Sequence, residues 1–95
     1  MAVKILIHRT VAEALKPELL PLLKQLRTLT TNQPGYISGE TLRRIDRTGE
    51  TLVISTWQSV NDWRRWARSD ERHRVQEKID QLLGEQTSYS IYEYE

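Results

Sequence analysis

The chain has 95 residues, of which 38% are hydrophobic and 28% are charged, and its formal net charge at pH 7 is +1. These values predict one soluble domain over residues 1–95 with a small hydrophobic core. The near-zero charge excludes the strong positive field that favours nucleic acids or anionic membranes as partners, and no apolar run approaches the roughly 20 residues of a membrane span. The absence of cysteine excludes disulfides, thiol nucleophiles and thiolate metal sites, and makes the cytoplasm the expected location.

The first strand is predicted over Val3–Arg9, where side chains alternate between two faces. This alternation and the short length also argue against a signal peptide. Leu6 makes the face that it shares with Lys4 and His8 partly apolar, so both faces are expected to be covered. His8 is therefore placed on a half-buried face as a candidate functional group, with a surface or capping histidine as the alternative. The other histidine, His73, is not at a metal-motif spacing from it, so no metal site is expected.

The next segment is predicted to be a helix that begins at Pro17, because the missing amide proton of proline costs nothing in the first helical turn. Six leucines form a stripe that is typical of a buried helix face: Leu15, Leu19, Leu22, Leu23, Leu26 and Leu29. Pro21 lies one turn into this helix and removes a hydrogen bond, so we expect a late start or a bent first turn. The polar segment from Thr30 to Gly35 ends the helix.

The rest of the chain is predicted to form a hairpin, two helices and a last strand. The strands of the hairpin cover 36–44 and 51–57, the helices 60–68 and 70–83, and the last strand 87–94. Ser59 and Ser69 are expected to cap the two helices, and Gly84 to end the second. The resulting β-α-β-β-α-β order is that of the ferredoxin-like α+β fold with a four-stranded antiparallel sheet. Both sheet faces are partly apolar and the helices can cover only one, so a second copy of the chain is expected on the open face.

The three tryptophans of the chain are Trp57, Trp63 and Trp66, all within ten residues. They predict an aromatic wall against which a flat ligand could stack, with an ordinary hydrophobic core as the alternative. The predicted cleft between helices and sheet also receives His8, Tyr36 and Gln76. A mostly apolar cleft with few polar groups suits a planar aromatic ligand. No catalytic triad, P-loop or dinucleotide fingerprint competes with this interpretation.

A run of arginines on the last two predicted helices resembles a basic patch: Arg64, Arg65, Arg68, Arg72 and Arg74. Acidic residues, among them Asp62 and Asp70, are interleaved with these arginines. We therefore interpret this surface as an exposed face with salt bridges and not as a binding site.

Four segments of the chain resemble the antibiotic biosynthesis monooxygenase domain family. They are P-G-Y-I-S-G-E-T-L at Pro34–Leu42, L-V-I-S-T-W-Q-S at Leu52–Ser59, W-x-x-W-x-x-S at Trp63–Ser69 and Y-x-I-Y-E-Y at Tyr89–Tyr94. The resemblance implies a dimeric α+β barrel, in which two ferredoxin-like sheets pack face to face. Some members of the family oxygenate polycyclic phenols or quinols with dioxygen and without metal, flavin or haem, and other relatives bind and degrade haem.

The resemblance carries over to three positions of this sequence. Trp66 stands where the haem-degrading branch has a tryptophan and where many quinol-type members have a histidine. His8 stands where the haem branch has an asparagine, and Gln76 where it has an axial histidine. The chain therefore lacks the iron ligand of the haem branch at the matching position.

These observations lead to three hypotheses. The first is a monooxygenase without cofactors that acts on a small planar aromatic or quinol-type substrate, with His8 as the base that deprotonates it. Its catalytic candidates are His8 and Trp66, and its substrate-binding candidates are Tyr36, Trp57, Trp63 and Gln76. The second hypothesis is a non-catalytic dimeric module that binds an aromatic metabolite, and the third is haem binding through His8 or His73.

Overall fold

Alternating apolar and polar side chains build a four-stranded antiparallel sheet in the computed structural model, which describes all 95 residues. The elements are β1 Val3–Thr10, α1 Lys16–Thr31, β2 Tyr36–Arg43, β3 Glu50–Trp57, α2 Val60–Ala67, α3 Asp70–Leu83 and β4 Ser88–Glu93. The strand order β2-β3-β1-β4 confirms the predicted ferredoxin-like α+β fold, with the second helix of the plan broken at Ser69. None of the helices combines the length and the apolar character that crossing a membrane requires.

The hydrophobic core lies between one face of the sheet and the helices. Val3, Ile5 and Ile7 of β1 point into it and are buried, as the alternation in the sequence predicts. Leu19 of α1 and Ile79 of α3 meet them from the helix side and are also buried. Each such side chain contributes about 1.5–3 kcal/mol through burial, so this face positions the helices over the sheet.

Local signals in the sequence set the helix ends. The hydroxyl of Ser59 accepts from the backbone amide of Asp62, and that of Ser69 accepts from the amide of Arg72. Gly84 ends α3 in the left-handed conformation, with φ of 75°. All three caps confirm the prediction. Of the two outcomes expected from Pro21, the late start was wrong, because α1 already begins at Lys16 and includes this proline. The bent first turn stays a prediction.

The second face of the sheet carries no helix. Lys4, Leu6 and His8 of β1 point to this open face, and His8 is exposed. Leu52 and Ile54 of β3 pair with His8 and Leu6 and lie on the same side. The open face thus combines apolar residues of β1 and β3 with exposed polar ones.

A bulge in β2 changes the side to which Tyr36 points. The register between β2 and β3 shifts between Tyr36 and Ser38. As a result Tyr36 lies on the helix side of the sheet together with Gly39, whereas strict alternation predicts opposite faces for these two residues. A Cβ atom on Gly39 would lie 2.6 Å from the Tyr36 hydroxyl oxygen. The absence of a side chain at Gly39 therefore lets the Tyr36 ring lie across the strand.

Candidate functional site

A cavity of about 790 Å³ lies between α1 and the helix side of the sheet. We call it the cleft. The leucine stripe of α1 supplies much of its apolar wall, with Leu19, Leu23 and Leu26 among the lining residues. Strands β1, β2 and β3 form the opposite wall, and α2 with the first turn of α3 closes one end. Its size and largely apolar lining are those of a small-molecule pocket.

The closed end of the cleft is aromatic. Trp63 and Trp66 are spaced three residues apart on α2, so both side chains point to the same side of this helix. Both line the cleft and both are buried. Tyr36 lines the cleft from β2 and is half-buried. The structure thus brings these three predicted residues together around one cavity.

Trp57 does not line the cleft. It is fully buried behind the aromatic wall, where its ring packs edge-on against Tyr36 and Trp63 at centroid distances of 5.5 and 5.7 Å. Its indole nitrogen donates to the Ser55 hydroxyl at 3.1 Å. The prediction that Trp57 contacts the ligand is not supported by this position, because no part of its ring reaches the cavity. It supports the residues that do.

Arg9 is the unexpected residue of the cleft. It occupies the next inward position of β1 after Ile5 and Ile7, is 7% exposed and lines the cavity. It forms no salt bridge, and its buried Nε has no hydrogen-bond partner in the protein. Burial lowers the pKa of Arg9, because removal from water disfavours the charged guanidinium. This side chain carries a largely desolvated positive charge to the cleft.

Arg72 carries a second buried guanidinium to the same cavity. It is 6% exposed and extends from the first turn of α3. Its Nη2 donates to the Tyr89 hydroxyl and, at 3.5 Å, to Oε1 of Gln76. Its guanidinium carbon lies 5.4 Å from the ring centre of Trp63 and 5.0 Å from that of Tyr89, within cation–π range. The interpretation of Arg72 as part of an exposed, salt-bridged face was wrong, although Arg65 of that run does pair with Asp62.

Gln76 lies outside the cleft, beneath Arg72. Its Nε2 donates to Oδ1 of Asp80 and to the hydroxyl of Thr87, both at 2.9 Å, while its Oε1 accepts from Arg72. Its hydrogen-bonding groups are thus occupied by the protein. The expectation that Gln76 holds a ligand oxygen in the cleft is contradicted by this geometry, and Gln76 instead helps to fix Arg72.

Neither histidine lines the cleft. His8 points to the open face of the sheet, away from the helices, so the prediction that it lies in the helix–sheet cleft was wrong. The reason is strand alternation, since Ile7 and Arg9 on either side of it face the cleft. His73 is exposed on α3 and borders a shallow depression beside β4. Haem ligation in the cleft by His8 or His73 is therefore contradicted by the structure.

The sequence contained a signal for both arginines. Arg9 has the same parity in its strand as Ile5 and Ile7, and Arg72 lies three residues before Val75, on the apolar stripe of α3. An arginine at a position that periodicity assigns to the core is rarely accidental, because arginine is almost never buried without a partner. The position of Arg72 on the apolar stripe of its helix predicts its burial, whereas its place in a run of basic residues does not.

The sequence profile of the antibiotic biosynthesis monooxygenase family matches residues 2–78 of the chain. No protein with a curated description matches it in sequence.

Solved structures share the complete fold. A conserved protein from Methanosarcina mazei superposes with a TM-score of 0.89 at 18% identity, covering 100% of this chain and 94% of that chain. SnoaB, a cofactor-independent oxygenase from Streptomyces nogalater, gives 0.84 at 17% identity, covering 99% and 93%. Rv0793 from Mycobacterium tuberculosis gives 0.84 at 16% identity, covering 100% and 96%. At these identities the likeness concerns the fold alone.

Proposed function

This chain belongs to the antibiotic biosynthesis monooxygenase family, and we propose that its cleft binds a small planar aromatic or quinol-type compound and oxygenates it with dioxygen. The observation that carries the proposal is the aromatic end of the cavity of about 790 Å³, which Tyr36, Trp63 and Trp66 line. Aromatic side chains of this kind stack on flat rings. The cofactor-independent oxygenase SnoaB, whose fold this chain shares, supports the choice of reaction.

The reaction needs no cofactor if the substrate itself supplies the electrons. A bound anthrone loses a proton of its CH₂ group to water, and the electron-rich anion gives one electron to dioxygen. The resulting radical and superoxide combine through a new C–O bond, and the peroxide then loses water, so that a CH₂ group becomes C=O. One oxygen atom stays in the product and the other leaves as water, so the substrate loses four electrons and dioxygen gains four. Arg9 and Arg72 favour the anion, because positive charge in a poorly solvated cavity stabilises it strongly.

Oxygen uptake by the purified protein tests this proposal. We expect anthrone in air to give anthraquinone with ¹⁸O from ¹⁸O₂ in its new carbonyl, at a rate above that in buffer and in the presence of a chelator. Trp66→Ala should slow the reaction, because it removes part of the ring-binding wall. Uptake that is no faster than in buffer with anthrone, naphthohydroquinone and naphthols alike would rule out the oxygenase.

The position of His8 favours a second candidate function, a binding module for an aromatic metabolite without catalysis. Because His8 points away from the cleft, no imidazole lines it that could accept the substrate proton. A reaction that depends on a general base could not take place there. In this case the same compounds quench tryptophan fluorescence on binding but cause no oxygen uptake.

We expect His8→Gln to leave the rate of oxygen uptake and the affinity for aromatic ligands within about twofold of the original protein. The residue lies on the face of the sheet opposite the cleft, so its side chain cannot contact a ligand in the cleft. Initial rates with anthrone measure the effect. A loss of tenfold or more would return His8 to the role of base.

We further propose that the open face of the sheet packs against the same face of a second copy. Leu6 and Ile54 are half-buried there although no helix covers them, and an apolar sheet face favours a symmetric partner. Sedimentation velocity is expected to give twice the chain mass of 11.2 kDa. Ile54→Glu should produce the monomer, whereas Ile45→Glu, at a side chain that is 93% exposed in a loop, should not. A monomer in the original protein, or dissociation by both variants, would contradict the proposal.

A further inference from the structure

Two buried guanidiniums face one cavity without an acidic partner. Arg9 reaches the cleft from β1 and Arg72 from α3, and each is less than a tenth exposed. None of the five salt bridges of the chain involves either of these arginines. Arginine is rarely buried unless a partner compensates the loss of water, so this pair calls for an anion that the chain itself does not place there.

Two carboxylates could compensate this charge, Glu40 and Asp80. Glu40 lines the cleft but is exposed and forms no salt bridge with either arginine. Asp80 is already engaged. Its Oδ1 accepts from Gln76, from the backbone amide of Thr87 and from the Thr87 hydroxyl. It makes no ion pair with either arginine, although its charge is felt at Arg9. Asp80 therefore anchors the Gln76 network behind Arg72, and neither guanidinium has an ion pair with a carboxylate of the chain.

The two arginines differ in how firmly they are held. Arg72 is fixed by Tyr89, Gln76 and the ring of Trp63, which orients it as a rigid donor. Arg9 has no hydrogen bond from its side chain to the protein, and its Nε is buried and unpartnered. Burial is the main cause that lowers the pKa of Arg9. Tyr89 opposes this effect and repulsion by Arg72 adds to it, and an anion bound between the two arginines would relieve the repulsion. The rigidly held guanidinium of Arg72 and the unpartnered guanidinium of Arg9 thus line the same cavity, where both could bind one anion.

We propose that the cleft selects aromatic compounds that carry a carboxylate, with the carboxylate held by Arg9 and Arg72 and the ring against Trp63 and Trp66. The planar fork of a guanidinium matches the two oxygens of a carboxylate. The apolar side chains of the lining suit the ring of the ligand. Arg9 and Arg72 are the charges that the cleft buries, because its other charged lining residues are half-buried or exposed: Lys16, Lys24, Arg27 and Glu40. This inference rests on the aromatic ligand of the proposed function but not on its oxygenation.

Calorimetric titration with 2-naphthoate and 2-naphthamide tests the inference, since the two compounds have the same size and differ in charge. We expect the original protein to bind the carboxylate at least about tenfold tighter, as hydrogen bonds to charged groups exceed neutral ones. Arg9→Gln should abolish this preference and leave the affinity for the amide within about twofold. Arg27→Gln is the matched control, because Arg27 also lines the cleft but is exposed and donates to Thr41. It should keep the preference.

Several results would overturn the inference. They are equal affinity for the two compounds, no binding of either, tighter binding of 2-naphthyl phosphate than of 2-naphthoate, or the same loss in Arg27→Gln as in Arg9→Gln. Should Arg9→Gln not fold, Arg9→Lys keeps the charge without the fork and is expected to retain only part of the preference. Oxygen uptake separates the two proposals. A carboxylate preference without uptake removes the oxygenase alone, and uptake from neutral anthrone without a carboxylate preference removes this inference alone.

Discussion

Trp57→Ala is expected to lower the free energy of unfolding by about 3–5 kcal/mol, the usual cost of truncating a buried tryptophan. The side chain is completely buried and contacts the rings of Tyr36 and Trp63 edge-on. Its removal leaves a cavity behind the aromatic wall and the Ser55 hydroxyl without its indole donor. Domains of this size have total stabilities of about 5–15 kcal/mol, so the variant should be close to unfolding at 37 °C.

Urea denaturation followed by far-UV circular dichroism measures this effect. Tyr94→Ala is the control, because Tyr94 is an aromatic residue of the last segment that is 59% exposed, and its loss should change stability by no more than about 0.5 kcal/mol. A decrease of less than 1 kcal/mol in Trp57→Ala would mean that Trp57 is not the support of the aromatic wall. Trp57→Phe should lose less than the alanine variant, since it keeps an aromatic ring in the space.

The fold could be predicted from the sequence because its signals are local and mutually consistent. Alternation in β1, the leucine stripe of α1 and the serine caps of α2 and α3 each act within a few residues, and all of them point to the same element order. The bounds of α3 were predicted without error, from Asp70 to Leu83. These features depend on hydrogen bonds and side-chain periods that the sequence displays directly.

The candidate site was predicted only in part, because side-chain direction depends on non-local packing. The alternation of side chains in β1 placed His8 and Ile7 on opposite faces of the sheet. It did not predict which of these faces α1 and α3 would cover. The more apolar face received the helices, which left His8 on the other side. Tyr36 reached the cleft through a bulge between Tyr36 and Ser38. Gly39 in β2 was a signal for such an irregularity, but it did not say where in the strand the register would shift.

The charge of the arginine run was the second reason why the site was predicted only in part. Arg72 belongs to a run of basic residues, and a run of this kind is usually a solvated face. Its burial follows from its place on the same stripe as Val75 and Ile79, where Tyr89 and Trp63 can receive the guanidinium. Gln76, which the resemblance places at a ligand position, is held by Asp80 and Thr87 instead. Periodicity therefore predicts the burial of Arg72 better than the charge of its neighbours does.

Arg9→Met is expected to raise the free energy of unfolding by about 1–3 kcal/mol, the cost that a buried polar group without a partner imposes on the folded state. Methionine keeps the long apolar stem of arginine and fills a similar space, but it has no charge to desolvate and no unpartnered Nε. Replacement of buried charges by apolar residues is often stabilising for this reason. The guanidinium stays protonated at neutral pH, so the gain should be seen under ordinary buffer conditions.

Thermal unfolding measures the gain, which should raise the Tm by roughly 4–8 °C for each kcal/mol in a domain of this size. Arg72→Met is the matched control. Because Arg72 donates to Tyr89 and Gln76, its replacement leaves those groups without their donor and should lower stability. A fall in the Tm of Arg9→Met would show that Arg9 serves the fold. A rise in the Tm together with loss of the preference for 2-naphthoate would show that Arg9 destabilises the fold and binds the ligand. Functional sites commonly show this compromise between stability and activity.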